Sequence, residues 1–260
     1  MINKNNETIS EQDLVQLFSE KKPRFTWAGF FGFLNKIFLL LLLTIIVYGG
    51  INFNAFKIKL SFWYKNDIQG ETVVDQSAKK IISTQTTPEE KKESLPEVAE
   101  NTVFIPSINV TAPIIWRVNN TSSEVASALE KGVIQIKGTA MPGERGNIYL
   151  TGHSSNYVWA KGDYNNIFAL LGNLVAGDVA YIKFSNTTYV YKIYDQKVVA
   201  PTDLSIMAPS EDSRLSLVTC WPVGTSLKRI VLLAKQIYPD PANNPPQRDR
   251  MDLQNLPSGR

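Results

Sequence analysis

Apolar and polar positions fall into blocks along the 260 residues, and each block predicts a different kind of structure. From Ile37 to Phe53 the chain carries no charge. A further apolar stretch, Trp27–Leu34, lies just before it. About 20 apolar residues at about 1.5 Å rise cross a bilayer core, so residues 37–53 are expected to form a transmembrane anchor. Asn35 and Lys36 would sit at one interface. The rival is a cleaved signal peptide, whose apolar region is shorter and ends at small residues. Asn52-Phe-Asn-Ala-Phe56 lacks such a site, which favours an uncleaved span.

Residues 54–100 are expected to be a polar linker, because Ser83–Ser94 has almost nothing to bury. From Pro239 onward, Pro241, Pro245 and Pro246 stand among Asn, Asp and Arg, and residues 239–260 read as a disordered tail. Between them, residues 101–238 alternate in the short runs typical of strands. Expected strands are Thr102–Ile105, Ile108–Ile115 (broken at Pro113), Val133–Ile136, Asn147–Thr151, Asp178–Phe184, Thr187–Val199, Leu215–Thr219 and Leu227–Ile237. A helix is expected at Ser123–Lys131, capped by Ser122 or Ser123, and a shorter one at Ile167–Leu171. About eight short strands in a domain of this size point to an all-β body with short helices, either a closed barrel or a sandwich. Closure would remove exposed strand edges.

Composition adds little to this picture until the rare residues are considered. Net charge is +3, and Lys and Arg are scattered among acids, which gives no footprint for nucleic acid. The lysines and arginine before the span, Lys21, Lys22, Arg24 and Lys36, lean slightly toward a cytoplasmic segment over residues 1–36. Cys220 and His153 are the single cysteine and the single histidine. One cysteine makes no internal disulfide and no cysteine-rich zinc site. No acidic cluster suggests calcium, so neither metal nor cofactor is expected.

A nucleophilic cysteine needs its thiolate, and a nearby histidine can take the proton and later hand it to a leaving amine. An arginine keeps its charge and offers several donors to an oxyanion. Cys220 ends a strand-like run, and Trp221-Pro-Val-Gly-Thr-Ser226 then turns the chain into Leu227–Ala234. A turn centred between Gly224 and Thr225 sets Cys220 directly opposite Arg229, on one face; a slip of one residue would separate them. His153 follows the run ending Thr151-Gly152, which suits the rim of a barrel. Each residue also has an ordinary alternative: a loop histidine, an inert buried thiol, a surface charge on an edge strand.

Two stretches resemble the sortase family. Gly138-Thr-Ala-Met-Pro-Gly-Glu-Arg-Gly-Asn-Ile-Tyr-Leu-Thr-Gly-His-Ser154 is similar to the family's segment around its histidine. Leu217-Val-Thr-Cys220, with Arg229 and Val231–Ala234, is similar to its cysteine and arginine segment. Ile105–Ile114 resembles the opening strands, and the likeness runs over about residues 102–238. It implies a closed, roughly eight-stranded β-barrel and a membrane-anchored cysteine transpeptidase. In that scheme Cys220 attacks a C-terminal, LPxTG-like sorting signal of a secreted protein and forms a thioester. An amine of a cell-wall precursor or a pilin subunit then resolves it. His153 is implied as acid and base, Arg229 as the group holding substrate or oxyanion, and Thr219 as a helper. It also implies a cytoplasmic N-terminus and an extracellular catalytic domain, anchoring proteins at the cell surface. The bulky Trp221-Pro222 after the cysteine departs from better-known members and leaves the subclass open. Leu256-Pro-Ser-Gly259 lacks the threonine of a sorting signal and is read as coincidence. Two rivals stand beside this reading: a cysteine endopeptidase that uses water, and a non-catalytic extracellular binding barrel.

Overall fold

The computed structural model describes residues 27–65, 95–157 and 159–249. The segment Met1–Glu20, the spacer Ser83–Ser94 and the Leu256–Gly259 motif lie outside the described residues. The chain forms two compact units, Met1–Tyr48 and Gly49–Arg260.

Helix α1 runs Trp27–Ile51 and helix α2 runs Phe53–Trp63. Gly29–Ile51 is long and apolar enough to cross a membrane. The helix therefore begins ten residues before the expected Ile37, because Asn35 and Lys36 do not interrupt helical geometry and the residues before them are equally apolar. The expected linker is corrected at its start, since residues 54–63 belong to α2. Ala55 of α2 is buried, and Ile58 and Phe62 pack against the main core.

The second unit is built on eight strands: β1 Thr102–Ile105, β2 Val110–Val118, β3 Val133–Ile136, β4 Gly146–Thr151, β5 Val179–Phe184, β6 Thr187–Val199, β7 Ser213–Trp221 and β8 Lys228–Tyr238. They close in the order β1-β2-β3-β4-β7-β8-β6-β5, which settles barrel over sandwich. Most pairs are antiparallel, but β2–β3 and β4–β7 are parallel. The β5–β6 turn is the two residues Ser185-Asn186, at φ 48° and 61°. Positive φ at both positions matches the twist of a tight hairpin. Pro113 does not break β2 as expected; it lies within the strand, opposite Thr102 of β1. The irregularity comes later, at a register shift between Ile115 and Val118 facing β3. There Arg117 takes φ 57°, and its N–H donates to the side-chain oxygen of Gln135 at 2.8 Å.

Alternation along each strand splits the apolar residues into two clusters. Val103, Ile105, Ile148, Leu150, Ile182, Tyr191, Leu215, Leu217, Ile230 and Leu232 fill the barrel. Ile134, Tyr149, Val218, Val231 and Leu233 point outward into a second cluster. Helix α3, Ser122–Leu129, and a 3-10 turn at Leu204–Met207 contribute Ala128, Ile206 and Met207 to that cluster. The N-cap of α3 is Thr121, one residue before the expected serines, and its side chain makes no capping bond. Instead Glu124 accepts from the backbone N–H of Asn119. The short helix expected at Ile167–Leu171 is a series of turns ending in a 3-10 turn, Leu171–Asn173.

The expected disordered tail is also corrected. Residues 239–249 pack on the barrel, with a 3-10 turn at Pro241–Asn243 and a parallel bridge from Arg145 to Pro246. The N–H of Arg145 donates to the Pro245 carbonyl at 2.7 Å, and the N–H of Gln247 donates to the Arg145 carbonyl at 2.9 Å. The prolines that suggested disorder suit this path, since extended backbone needs few intrachain N–H donors.

Candidate active site

The β7–β8 register is the one the turn predicts: Leu217 opposite Leu232, Thr219 opposite Ile230, and Cys220 opposite Arg229. Facing Cβ atoms in such a pair are about 4.5–5.5 Å apart. Val218 and Val231 are both in the outer cluster, so Cys220 and Arg229, two residues along, share that outer face. Cys220 is half-buried.

Strand β4 brings the histidine. It runs parallel to β7 with Tyr149 beside Ser216 and Thr151 beside Val218. Continued two residues past its last pair, Thr151–Val218, the same register leads from His153 toward Cys220. Past the end of β4 the register is held by two bonds. The N–H of Gly152 donates to the Val218 carbonyl at 3.3 Å, and the Thr219 hydroxyl donates to the Gly152 carbonyl at 2.7 Å. The N–H of Phe168 donates to the His153 carbonyl at 2.9 Å. Gly152 makes this approach possible: a Cβ there would come within 3.0 Å of both Ile167 and Phe168 side chains. The loop after β4 is stitched to the β7–β8 turn as well, where the N–H of Gly224 donates to the Ser155 hydroxyl at 2.9 Å.

The site therefore lies on the outer wall of the barrel near its rim, with β4, β7 and β8 side by side. Burial pushes the His153 imidazole below its usual range, which favours the neutral, proton-accepting form. The Arg229 guanidinium donates through Nη1 to the carbonyls of Ser226 at 3.2 Å and Lys228 at 3.0 Å. These bonds engage one corner of a five-donor fork.

Thr219, expected as a helper, turns its hydroxyl to the opposite face of β7 from Cys220, where it donates to the Gly152 carbonyl next to His153. Tyr149 is the residue that sequence reasoning missed. It is buried in the outer cluster, and its hydroxyl is pushed up to about 12, mainly by burial. Arg229 pulls it down and Cys220 pushes it up. The period-two pattern Tyr149, Thr151, His153 could have flagged it. Trp221 faces inward and packs against the barrel core; a Cβ on Gly172 would come within 2.8 Å of its ring. The Nζ of Lys59, on α2, stands 5.3 Å over that ring. Among the described residues, no group of three or more His, Cys, Asp or Glu is arranged to hold a metal ion.

Cys220 on β7 faces Arg229 on β8, and His153 follows the end of the neighbouring β4, an arrangement that thiol acyl chemistry can use. Comparison with known proteins gives the family. Residues 103–237 match the model of the sortase domain, and the chain belongs to the sortase family. It is 32% identical over 143 residues to sortase D of Bacillus subtilis (strain 168), covering 54% of this chain and 64% of that protein. It is 24% identical over 133 residues to sortase A of Listeria monocytogenes, covering 51% and 54%. The chain thus spans a little over half to just under two thirds of the length of these curated relatives. Among solved structures, sortase C1 of Streptococcus agalactiae in complex with MTSET matches at 27% identity and a TM-score of 0.45, covering 52% of this chain and 67% of that one.

Proposed function

We propose that this chain is a membrane-anchored cysteine transpeptidase acting on secreted proteins that carry a C-terminal, LPxTG-like sorting signal. The observation that carries the reading is the shared outer face of β4, β7 and β8, with Cys220 opposite Arg229 and the β4 register leading to His153. Membership of the sortase family supports it.

The step runs as acyl transfer to sulfur and then to nitrogen. His153 takes the proton from the Cys220 thiol as sulfur attacks a backbone carbonyl carbon. The carbonyl oxygen becomes an oxyanion, and the Arg229 fork donates hydrogen bonds to it or to the neighbouring substrate backbone. The C–N bond breaks, and His153 returns its proton to the departing amine, leaving a thioester on Cys220. An incoming amine, from a cell-wall precursor or a pilin lysine, attacks the thioester. Its proton passes through His153 to the released sulfur, and a new amide forms. The helix over Gly29–Ile51 anchors the enzyme with its N-terminus in the cytoplasm and the barrel outside.

The test uses the full chain in detergent with a sorting-signal peptide. Mass spectrometry is expected to show a covalent adduct that Cys220→Ala abolishes and that His153→Ala and Arg229→Ala slow strongly. An adduct that persists in Cys220→Ala rejects the nucleophile. Adding candidate amines then separates ligation from hydrolysis by water; release of free acid alone at every amine concentration rejects the transpeptidase reading.

A further inference from the structure

Helix α2 has two apolar faces, and the barrel uses only one. At 3.6 residues per turn, Ala55, Ile58 and Phe62 fall together on the side that meets the barrel core. On the opposite side, within an arc of about 100°, Phe53, Leu60, Trp63 and the C-cap Tyr64 are all about half or more exposed. Asn54, Lys57 and Ser61 separate the two faces along one flank. A helix packed on a soluble core normally turns its polar side outward, so the outer stripe calls for an occupant.

We propose that this outer face lies in the lipid–water interface of the same membrane that α1 crosses, so that α2 clamps the barrel to the bilayer by its active-site end. The proposal rests on the anchor reading of α1. Three features of the chain select lipid as the occupant. Only Asn52 separates Phe53 from the end of α1, and one residue spans at most about 3.8 Å, so α2 starts at the edge of the apolar span. Its exposed stripe is led by Phe53 and closed by Trp63 and Tyr64, and tryptophan and tyrosine favour the headgroup level. Residues 53–65 carry Lys57, Lys59 and Lys65 and no acid, which complements anionic headgroups.

The consequence concerns the site. The barrel-facing side of α2 is tied to the residue after the nucleophile, through Lys59 over the Trp221 ring. The interfacial helix therefore holds the Cys220 end of the barrel about one helix diameter, roughly 10 Å, above the lipid. Acyl donor and amine acceptor are met at the membrane surface, which suits substrates that are themselves tethered there.

The test is collision accessibility of nitroxide labels in the full chain, in a Cys220→Ser background, reconstituted in phosphatidylcholine vesicles containing phosphatidylglycerol. Single cysteines are placed at Leu60 and Phe53 on the outer stripe, at Leu41 in the span, and at Glu211 on the far end of the barrel. Circular dichroism melting checks that each labelled protein is folded; both stripe positions are exposed, so one survives as a probe if the other perturbs. Expected is an oxygen-to-nickel-chelate collision ratio at Leu60 and Phe53 several-fold above that at Glu211, with Leu41 higher still. Stripe labels as open to the chelate as Glu211, with Leu41 reading lipid, overturn the interfacial helix and leave the anchor standing. Stripe labels shielded from both reagents also overturn it, since a protein partner or a second copy then covers the face. A Leu41 label that reads water removes the anchor and the proposal with it.

Discussion

Thr219→Val isolates the contact that fixes the histidine segment. Valine keeps the branched shape, but the hydroxyl that donates to the Gly152 carbonyl at 2.7 Å is lost. Thr219 is 2% exposed, so water does not replace it easily. Leaving a buried carbonyl short of its partner costs about 1–3 kcal/mol. For a body of this size each kcal/mol lowers Tm by about 2–4 °C, so a fall of about 2–12 °C is expected. The effect on turnover follows from position, because His153 is the next residue after Gly152. A displacement of about 1 Å at a reacting group costs up to about a hundredfold, so kcat/KM for a sorting peptide is expected to fall between about tenfold and a hundredfold. Thr219→Ser keeps the donor and is expected to restore most of the rate. Alkylation of Cys220 by a small neutral reagent, followed by mass spectrometry, reports on the sulfur separately and is expected to change little. A Thr219→Val protein with the lowered Tm and unchanged kcat/KM would refute the idea that this bond positions the histidine. Failure of serine to rescue would do the same.

Three further outcomes follow. Burial holds the His153 imidazole below its usual value near 6.5, so between the two values the unfolded chain binds more protons than the folded one. Stability is therefore full above about pH 6.5, falls as pH drops toward the folded-state value, and levels below it; thermal melts of His153→Asn are expected to lack that slope. The acid limb of kcat/KM should likewise lie below about pH 6.5 in the wild type. Arg229→Ala is expected to lower kcat by about 10²–10³-fold while Cys220 still alkylates, the usual scale for one lost oxyanion donor; a loss under threefold speaks against that role. Ending the chain after Tyr238 removes the Arg145–Pro246 bridge and the buried Gln247, whose Nε2 donates to the Gly138 carbonyl at 2.6 Å. Melting of that truncation against the full chain is expected to show a drop of several degrees, from about 1–3 kcal/mol of lost bonds and burial; an unchanged Tm shows that the tail only rests on the surface.

Local signals carried the parts of this fold that neighbouring residues decide. The Pro222–Gly224 turn and the apolar alternation on either side of it were enough to place Cys220 against Arg229. The β4–β7 pairing was not legible, because it is parallel and joins segments more than 60 residues apart, where no turn chemistry dictates register. The same gap hid the difference between rim and outer wall: that depends on which neighbours cover Val218 and Val231, and those come from α3 and the Leu204–Met207 turn. Polar residues misled twice. Lys36 suggested an interface within what is one continuous helix, and the polar composition further on drew the linker back over residues 54–63, where an apolar pattern of period 3.6 runs through Ala55, Ile58 and Phe62. At the tail, proline-rich composition spoke only of missing N–H donors and not of where the acceptors would be used.

The parallel pairing of β4 with β7 has a consequence for how such a barrel can diversify. Both strands run toward the same end, where His153 follows β4 and Cys220 lies on β7, and the segment from His153 to Asp178 leaves the wall there before β5 and β6 rejoin it. The excursion after His153 can lengthen, shorten or change its lining over generations while the ladder up to Thr151–Val218 keeps its register. The lining beside the β4–β7 end is therefore open to change through that loop alone, without rebuilding the paired strands.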